Sequence, residues 1–224
     1  MKSLGLLISF ITLSSLAIAQ QDYVPRYDGF AGFSYLNSPK LNLAERGFDG
    51  EFGINLNRWL AMGGDYSIFT GHSDIHASDL KPALQAQLIP LLPILGPNPA
   101  VPFDSTTYTF TFGPQINFRQ LKWITIFVRP AIGGMHETAT LKPNTPALGL
   151  VTAQLAPSGK KTDLKPFFGV GGGFDLNATK HVGLRFAADY VHVNLFDDIL
   201  NSGRNSLRLA VGPTFRFGPN VAQK

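Results

Sequence analysis

Cysteine is absent from the 224 residues. That excludes a disulfide framework, a thiolate metal site and a thiol nucleophile. Long apolar runs are missing beyond the first twenty residues. The nearest, Leu88 to Val101, is broken by Pro90, Pro93, Pro97 and Pro99, and proline removes hydrogen bonds that a spanning helix needs. A strong charge of one sign is missing too. Nineteen Lys and Arg stand against 15 Asp and Glu with no basic stripe, so nucleic acid is not an expected partner.

The first residues are different. Residues 1–19 read as a secretory signal peptide, with Lys2 at its start, an apolar run from Leu4 to Leu16, and Ala17-Ile18-Ala19 as a small-residue cleavage site before Gln20. The alternative is a membrane anchor. The run is shorter than the roughly 20 apolar residues of a spanning helix, and Thr12, Ser14 and Ser15 interrupt it. Cleavage removes one lysine and leaves a charge of +3. The remainder divides into a β-domain over residues 20–218 and a short tail over residues 219–224.

Glycine (23 residues) and phenylalanine (18 residues) are plentiful, and they fall into a period-two pattern. In the clearest stretch Tyr108, Phe110, Phe112, Ile116 and Phe118 alternate with Thr107, Thr109, Thr111, Gly113, Gln115 and Asn117. Similar stretches begin near Tyr27, Phe48, Leu60, Ile124, Phe168, Val182 and Leu207. Phe127 alone breaks the rule in its stretch. Eight segments of about ten residues have the length of tilted membrane-spanning strands. Three connections are short: Asn57 to Trp59, Arg119 to Trp123, and Asn177 to His181. Each follows an apolar-Asn step and ends on Trp59, Trp123 or His181, recurring about every 60 residues as repeated hairpins would. The other loops are longer, at residues 37–46, 71–104, 137–163 and 193–204. Short turns at one rim and long loops at the other suit a barrel whose short rim is periplasmic.

Alternation alone does not separate a membrane barrel from a soluble one. Two features do. Lys40, Lys81, Lys122, Lys142, Lys160, Lys161, Lys165, Lys180 and Lys224 fall in loops, turns, strand margins or the tail, never mid-strand, although water-facing sheets commonly use lysine there. The face opposite the rings is Gly, Ala, Ser, Thr and Asn with scattered charges, which suits a narrow lumen. Large rings pointing inward from every strand would overfill eight strands. The rings therefore face lipid. The expected fold is all-β: an eight-stranded antiparallel up-and-down transmembrane β-barrel in the bacterial outer membrane, closed because no backbone group can stay unpaired in hydrocarbon. Tyr27, Trp59, Trp123 and Tyr190 are expected in the interfacial aromatic girdles.

The chain resembles the OmpA-like outer-membrane β-barrel domain family over roughly residues 26–218. The residues that carry the resemblance are the first strand Gly29-Phe30-Ala31-Gly32-Phe33-Ser34-Tyr35-Leu36 and the Gly47 to Tyr66 hairpin. They also include Gly169-Val170-Gly171-Gly172-Gly173-Phe174 and the closing Val211-Gly212-Pro213-Thr214-Phe215-Arg216-Phe217. These motifs are architectural and say little about activity. The resemblance implies outer-membrane lipids and the barrel-assembly machinery as partners during biogenesis, with Phe217 as the terminal aromatic signal. Here Gly218 to Lys224 extend past it. The seven residues leave no room for the peptidoglycan-binding domain that larger members add.

Glu51, Asp65, Arg129, Arg185, Asp189 and Arg208 are the candidate lumen charges. They would form a polar pathway or a salt-bridge plug. The plug is preferred, because buried charges are tolerated when paired and small barrels are filled by their own side chains. Arg185 is expected to pair with a carboxylate on a neighbouring strand. Enzyme chemistry is not expected. Tyr190-Val191-His192-Val193-Asn194 resembles the His-x-Ser-Asn pattern of one lipid-A deacylase class, but Asn194 stands where the nucleophile belongs. His72-Ser73-Asp74-Ile75-His76 has metal-ligand spacing only on a helix, and it reads as a polar loop, so no metal is expected. The glycine-rich Gly169 to Phe174 lacks the third glycine and the following helix of a dinucleotide loop, so no cofactor is expected. Loops 71–104 and 137–163 carry Leu88-Ile89-Pro90-Leu91-Leu92-Pro93-Ile94-Leu95 and Ala147-Leu148-Gly149-Leu150-Val151. Asp79 to Ile89 would form a short helix with Pro82 in its first turn. The preferred reading folds these loops over the mouth or onto the leaflet; the functional one is contact with an extracellular ligand. The leading function is structural or surface-interacting, with a small porin-like diffusion channel as the alternative.

Overall fold

The structure is a computed structural model, and it describes residues 21–96 and 98–222. The signal peptide expected over residues 1–19 lies outside the described residues. Eight strands follow in order: β1 (Pro25–Ser38), β2 (Leu43–Asn55), β3 (Leu60–His76), β4 (Ala100–Phe118), β5 (Ile124–Leu141), β6 (Lys160–Asn177), β7 (Val182–Val193) and β8 (Arg204–Asn220). Each pairs antiparallel with the next, and β1 pairs with β8 to close the barrel. Closure satisfies the edges that hydrocarbon would leave unpaired. Among the described residues no helix is long and apolar enough to cross a membrane.

Two of the three short turns are built on side-chain acceptors. Asn57 Oδ1 accepts from the amides of Trp59 (2.8 Å) and Leu60 (2.9 Å). Thr179 Oγ1 accepts from those of His181 (3.1 Å) and Val182 (3.0 Å). A side chain that bonds the backbone two residues on fixes a turn locally. The 60-residue recurrence has a physical meaning. The carbonyls of Trp59, Trp123 and His181 accept from the amides of Asn117, Asn177 and Arg216, each on the following hairpin or the closing strand. Each turn is thus stitched to its neighbour around the short rim.

At the other rim the strands run on further than the sequence pattern indicates. β3 to β6 have 17 to 19 residues, well beyond the roughly ten that cross a bilayer. The loops expected at 71–104 and 137–163 shrink to residues 77–99 and 142–159. The other two shrink to residues 39–42 and 194–203. The outer face of this overhang no longer meets lipid, and its inner face mixes buried polar residues such as Ser73 and Ser105 with Phe103 and Ala139, so the alternation that reveals a strand fades although pairing continues, as in Asp104↔Thr140. His72 to His76 accordingly lies in β3, not in a loop. Lys160, Lys161 and Lys165 stand in the outer part of β6, clear of the lipid-facing rings. The long loops hold α1 (Pro82–Leu88), α2 (Leu92–Leu95) and α3 (Pro146–Leu155). Pro82 opens α1, within the helix expected over 79–89, and Thr145 Oγ1 caps α3 by accepting from Leu148 N at 3.2 Å.

The outer face is an apolar belt. Phe33, Phe48, Tyr66, Phe110, Phe112, Phe168 and Phe215 are all at least half exposed, Phe112 to 71%. Such a band on a closed barrel belongs in lipid. The inner face departs from expectation. Phe30, Phe69, Phe103, Phe127 and Phe167 are buried inside. Glycines make room for two of them. A Cβ on Gly173 would lie 3.0 Å from the Phe127 ring, and one on Gly133 would lie 3.1 Å from the Phe167 ring. Phe127 therefore keeps the pleat; the irregularity is one of chemistry, not of direction.

Candidate functional site

Strand register decides the lumen. Three acid–base pairs sit directly across from each other on adjacent strands: Asp28↔Arg216, Asp175↔Arg185 and Asp189↔Arg208. A fourth pairing, Glu51↔Asp65, sets two carboxylates side by side, which repel. Arginines from the far wall resolve it. Arg208 bonds Asp65 at 2.5 Å and Asp189 at 2.6 Å. Arg185 bonds Asp175 at 2.8 Å, Glu51 at 2.5 Å and Asp28 at 3.0 Å. Arg129 reaches Glu51 at 3.0 Å and Asp189 at 3.2 Å. Planar, forked guanidinium groups suit such multiple carboxylate contacts. Arg185 also lies 4.9 Å from the Phe127 ring centre and 5.8 Å from that of Phe30, so the inward rings flank the cation.

The six residues singled out from sequence thus meet in one network, and Arg185 pairs with Asp175 on neighbouring β6. Asp28, Asp175 and Arg216 belong to the same network. They lie on the same alternating face, so period-two reading had the signal to include them. A second cluster higher in the barrel had no such signal. Arg204 pairs with Glu137, and Thr107 Oγ1 donates to Glu45 Oε1 at 2.9 Å. All four are buried, yet three of them fell in stretches read as loops or strand margins.

Above the charges lies an apolar layer of Leu36, Phe69, Phe103, Met135, Phe167 and Val191, continuous with Leu195, Phe196 and Leu200 from the last loop. Below, Arg119 bonds Asn55 Oδ1 at 2.7 Å and the Arg58 carbonyl at 2.6 Å. Gln21 Nε2 donates to Leu121 O at 3.0 Å and Thr125 Oγ1 at 2.9 Å. An open bowl of about 380 Å³, with Arg119, Trp123 and Lys180 on its wall, faces the short rim. A cavity of about 40 Å³ lies between Arg119 and Arg129.

The girdle candidates divide unevenly. Trp59 and Trp123 are exposed in the short turns, Tyr27 is half-buried near the same rim, and Tyr190 is exposed on β7 towards the loop side. His192 is held by Asn205 Oδ1 at 2.7 Å and packs on Phe168. His72 contacts Asp104 at 3.0 Å, and that carboxylate is also paired with Lys142. Among the described residues no three His, Asp or Glu side chains gather as a metal site.

No family model and no curated protein matches the sequence. Solved structures do. OprG from Pseudomonas aeruginosa, an outer-membrane protein, is 11% identical with a TM-score of 0.52, over 89% of this chain and 99% of that one. Neisserial surface protein A is 13% identical with a TM-score of 0.46, over 85% of this chain and 96% of that one. Ail, the attachment invasion locus protein of Yersinia pestis, is 12% identical with a TM-score of 0.44, over 84% and 96%. At this identity the likeness is one of fold. The chain has the eight-stranded architecture of bacterial outer-membrane barrels, and its apolar belt agrees with that location.

Proposed function

We propose that the protein is a non-catalytic outer-membrane barrel of the OmpA-like type, with a closed lumen and an extracellular crown that contacts molecules outside the cell. The observation that carries this reading is the double seal of the lumen. Paired charges fill its middle, and an apolar layer fills its outer end. Burying charges that lack a partner is costly, so the network favours a static filling over an aqueous path. The side chains used in the wall leave little for chemistry, and His192 is already bonded to Asn205. Lipids hold the belt. The assembly machinery would read Phe217, which is exposed on the outer face of β8. The crown formed by residues 77–99 and 142–159 is the surface left for a partner.

The bowl at the short rim favours a second reading, a small diffusion channel with a vestibule there. Planar-bilayer recording separates the two. The purified barrel should give no stable, ion-selective open state. A reproducible open level would overturn the closed-lumen reading and support the channel.

A further inference from the structure

The crown encloses an apolar cavity that the lumen seal does not explain. It measures about 60 Å³ and lies between α3, the last turn of α1 and the overhanging strands. Phe103 and Leu41 form its floor, and Leu148, Ala156 and Leu200 its sides. It adjoins a groove of about 260 Å³ between α1–α2 and α3, with which it shares Leu80, Leu88, Leu95, Val151 and Leu155. By the usual measure, 60 Å³ would admit several waters. Water, however, needs partners, and three of the four polar side chains on the wall are engaged elsewhere, the fourth being the exposed His76. Glu137 is paired with Arg204, Lys161 bonds Asp198 at 2.5 Å, and Thr152 Oγ1 donates to Gly149 O at 3.2 Å. The pocket is thus small and almost wholly carbon-lined, and beside it runs a wider apolar groove whose lining includes Gln87 and Gln154.

We propose that this groove and cavity bind the linear alkyl chain of a small amphiphile from the external medium, its tail in the cavity and its polar end at the two glutamines. The proposal rests on the crown facing outward. A cavity of this volume admits a thin tail and no folded partner. A chain rooted in the outer leaflet is poorly placed to reach it. Val101 on the cavity wall lies nine residues beyond Phe110 of the exposed belt on β4, about 30 Å along the tilted strand.

The test uses the full barrel in lipid nanodiscs with labelled methyl groups and n-alcohols from octanol to dodecanol as probes. The methyl signals of Leu148, Val151 and Leu155 should shift saturably. Each added methylene should tighten binding about fourfold until the cavity is full, after which affinity levels off. Ala156→Phe, which fills the cavity, should weaken binding at least tenfold. Ile89→Lys removes an exposed apolar side chain outside cavity and groove and should leave binding unchanged. Absence of saturable shifts in the parent barrel overturns the proposal. So does affinity that rises without levelling and ignores Ala156→Phe, as membrane partitioning would. Loss of binding in Ile89→Lys with retention in Ala156→Phe would point to a surface patch for a protein partner and equally overturn it. Labelling of Lys160 on intact cells by an impermeant amine reagent checks the outward orientation separately, so failure of that reading is distinguishable from failure of alkyl binding.

Discussion

Arg208 shows how much one side chain carries in this barrel. It holds Asp65 and Asp189 at once, and its side chain is almost fully buried. Arg208→Met should leave Asp65 and Asp189 with Arg129 alone as cation, at 3.9 and 3.2 Å, and cost about 3 kcal/mol. The measurement is the temperature at which the folded band is lost on a semi-native gel. Arg208→Met combined with Asp189→Asn should recover part of that loss, because one carboxylate no longer needs a cation. Gly173 sets a steric limit rather than an electrostatic one. Its Cβ would sit 2.0 Å from Phe186 O and 3.0 Å from the Phe127 ring. Gly173→Val should destabilise the barrel by about 1–3 kcal/mol, read by the same gel, and should disturb the packing of Phe127 on Arg185. A third case lies outside the membrane. The hydrogen bond from Lys165, at 2.9 Å, holds the Asp197 carboxyl below its usual range, helped by nearby lysine charge. A depressed carboxyl contributes its tether above its unfolded value and loses it as pH falls through the folded one. Amide exchange in residues 194–203 should therefore accelerate in acid, beyond its intrinsic pH dependence, only below the ordinary aspartate range. Asp197→Asn should show the faster exchange already at neutral pH.

Among the elements, the belt strands were readable from residues, and the crown only at α1, which lies within the helix expected over 79–89. The belt strands announce themselves because one face meets lipid and the other a narrow lumen, so Tyr108 to Phe118 alternate cleanly. Once β3 to β6 leave the bilayer, both faces meet protein or water, and residues such as Ser73, Asp104 and Thr138 carry no directional signal. Pairing there is fixed by continuation of register, which a single strand's sequence does not encode. The same limit explains the inward rings. The alternation of its own strand puts Phe127 on the lumen side, but nothing local shows the space for it, which comes from Gly173 on β6. The charged lumen was legible because charge mid-strand has nowhere to go but inward. Its apolar seal was not. The helices α1 and α2 bury none of their residues fully, while the strands are held by continuous ladders. Replacing residues 82–98 with a short Gly-Ser linker should therefore leave the barrel able to assemble and reach the membrane, with a modest drop in its unfolding temperature from the lost contacts of Leu84 and Leu88. Failure to reach the membrane, seen by fractionation, would mean that the crown takes part in assembly.

At the scale of the whole molecule, the two rims differ in a way that optical measurement can read. The chain has two tryptophans, and both sit in short turns, 41% and 60% exposed for Trp59 and Trp123. Indole prefers the boundary between headgroups and hydrocarbon, and that boundary lies about 15 Å from the bilayer centre. Tryptophan emission should thus report one membrane interface only. Lipids brominated near the headgroup end of the acyl chain should quench it several-fold more than lipids brominated near the terminal methyl. In vesicles oriented so that external protease cuts only residues 77–99 and 142–159, external iodide should leave the emission unchanged, whereas enclosed iodide should quench it. Quenching by external iodide would put the short turns and the long loops on the same side, which an up-and-down barrel of eight strands cannot do. Deep quenching by terminal bromines would instead move the belt, and the charged network behind it, away from the height that the exposed rings assign.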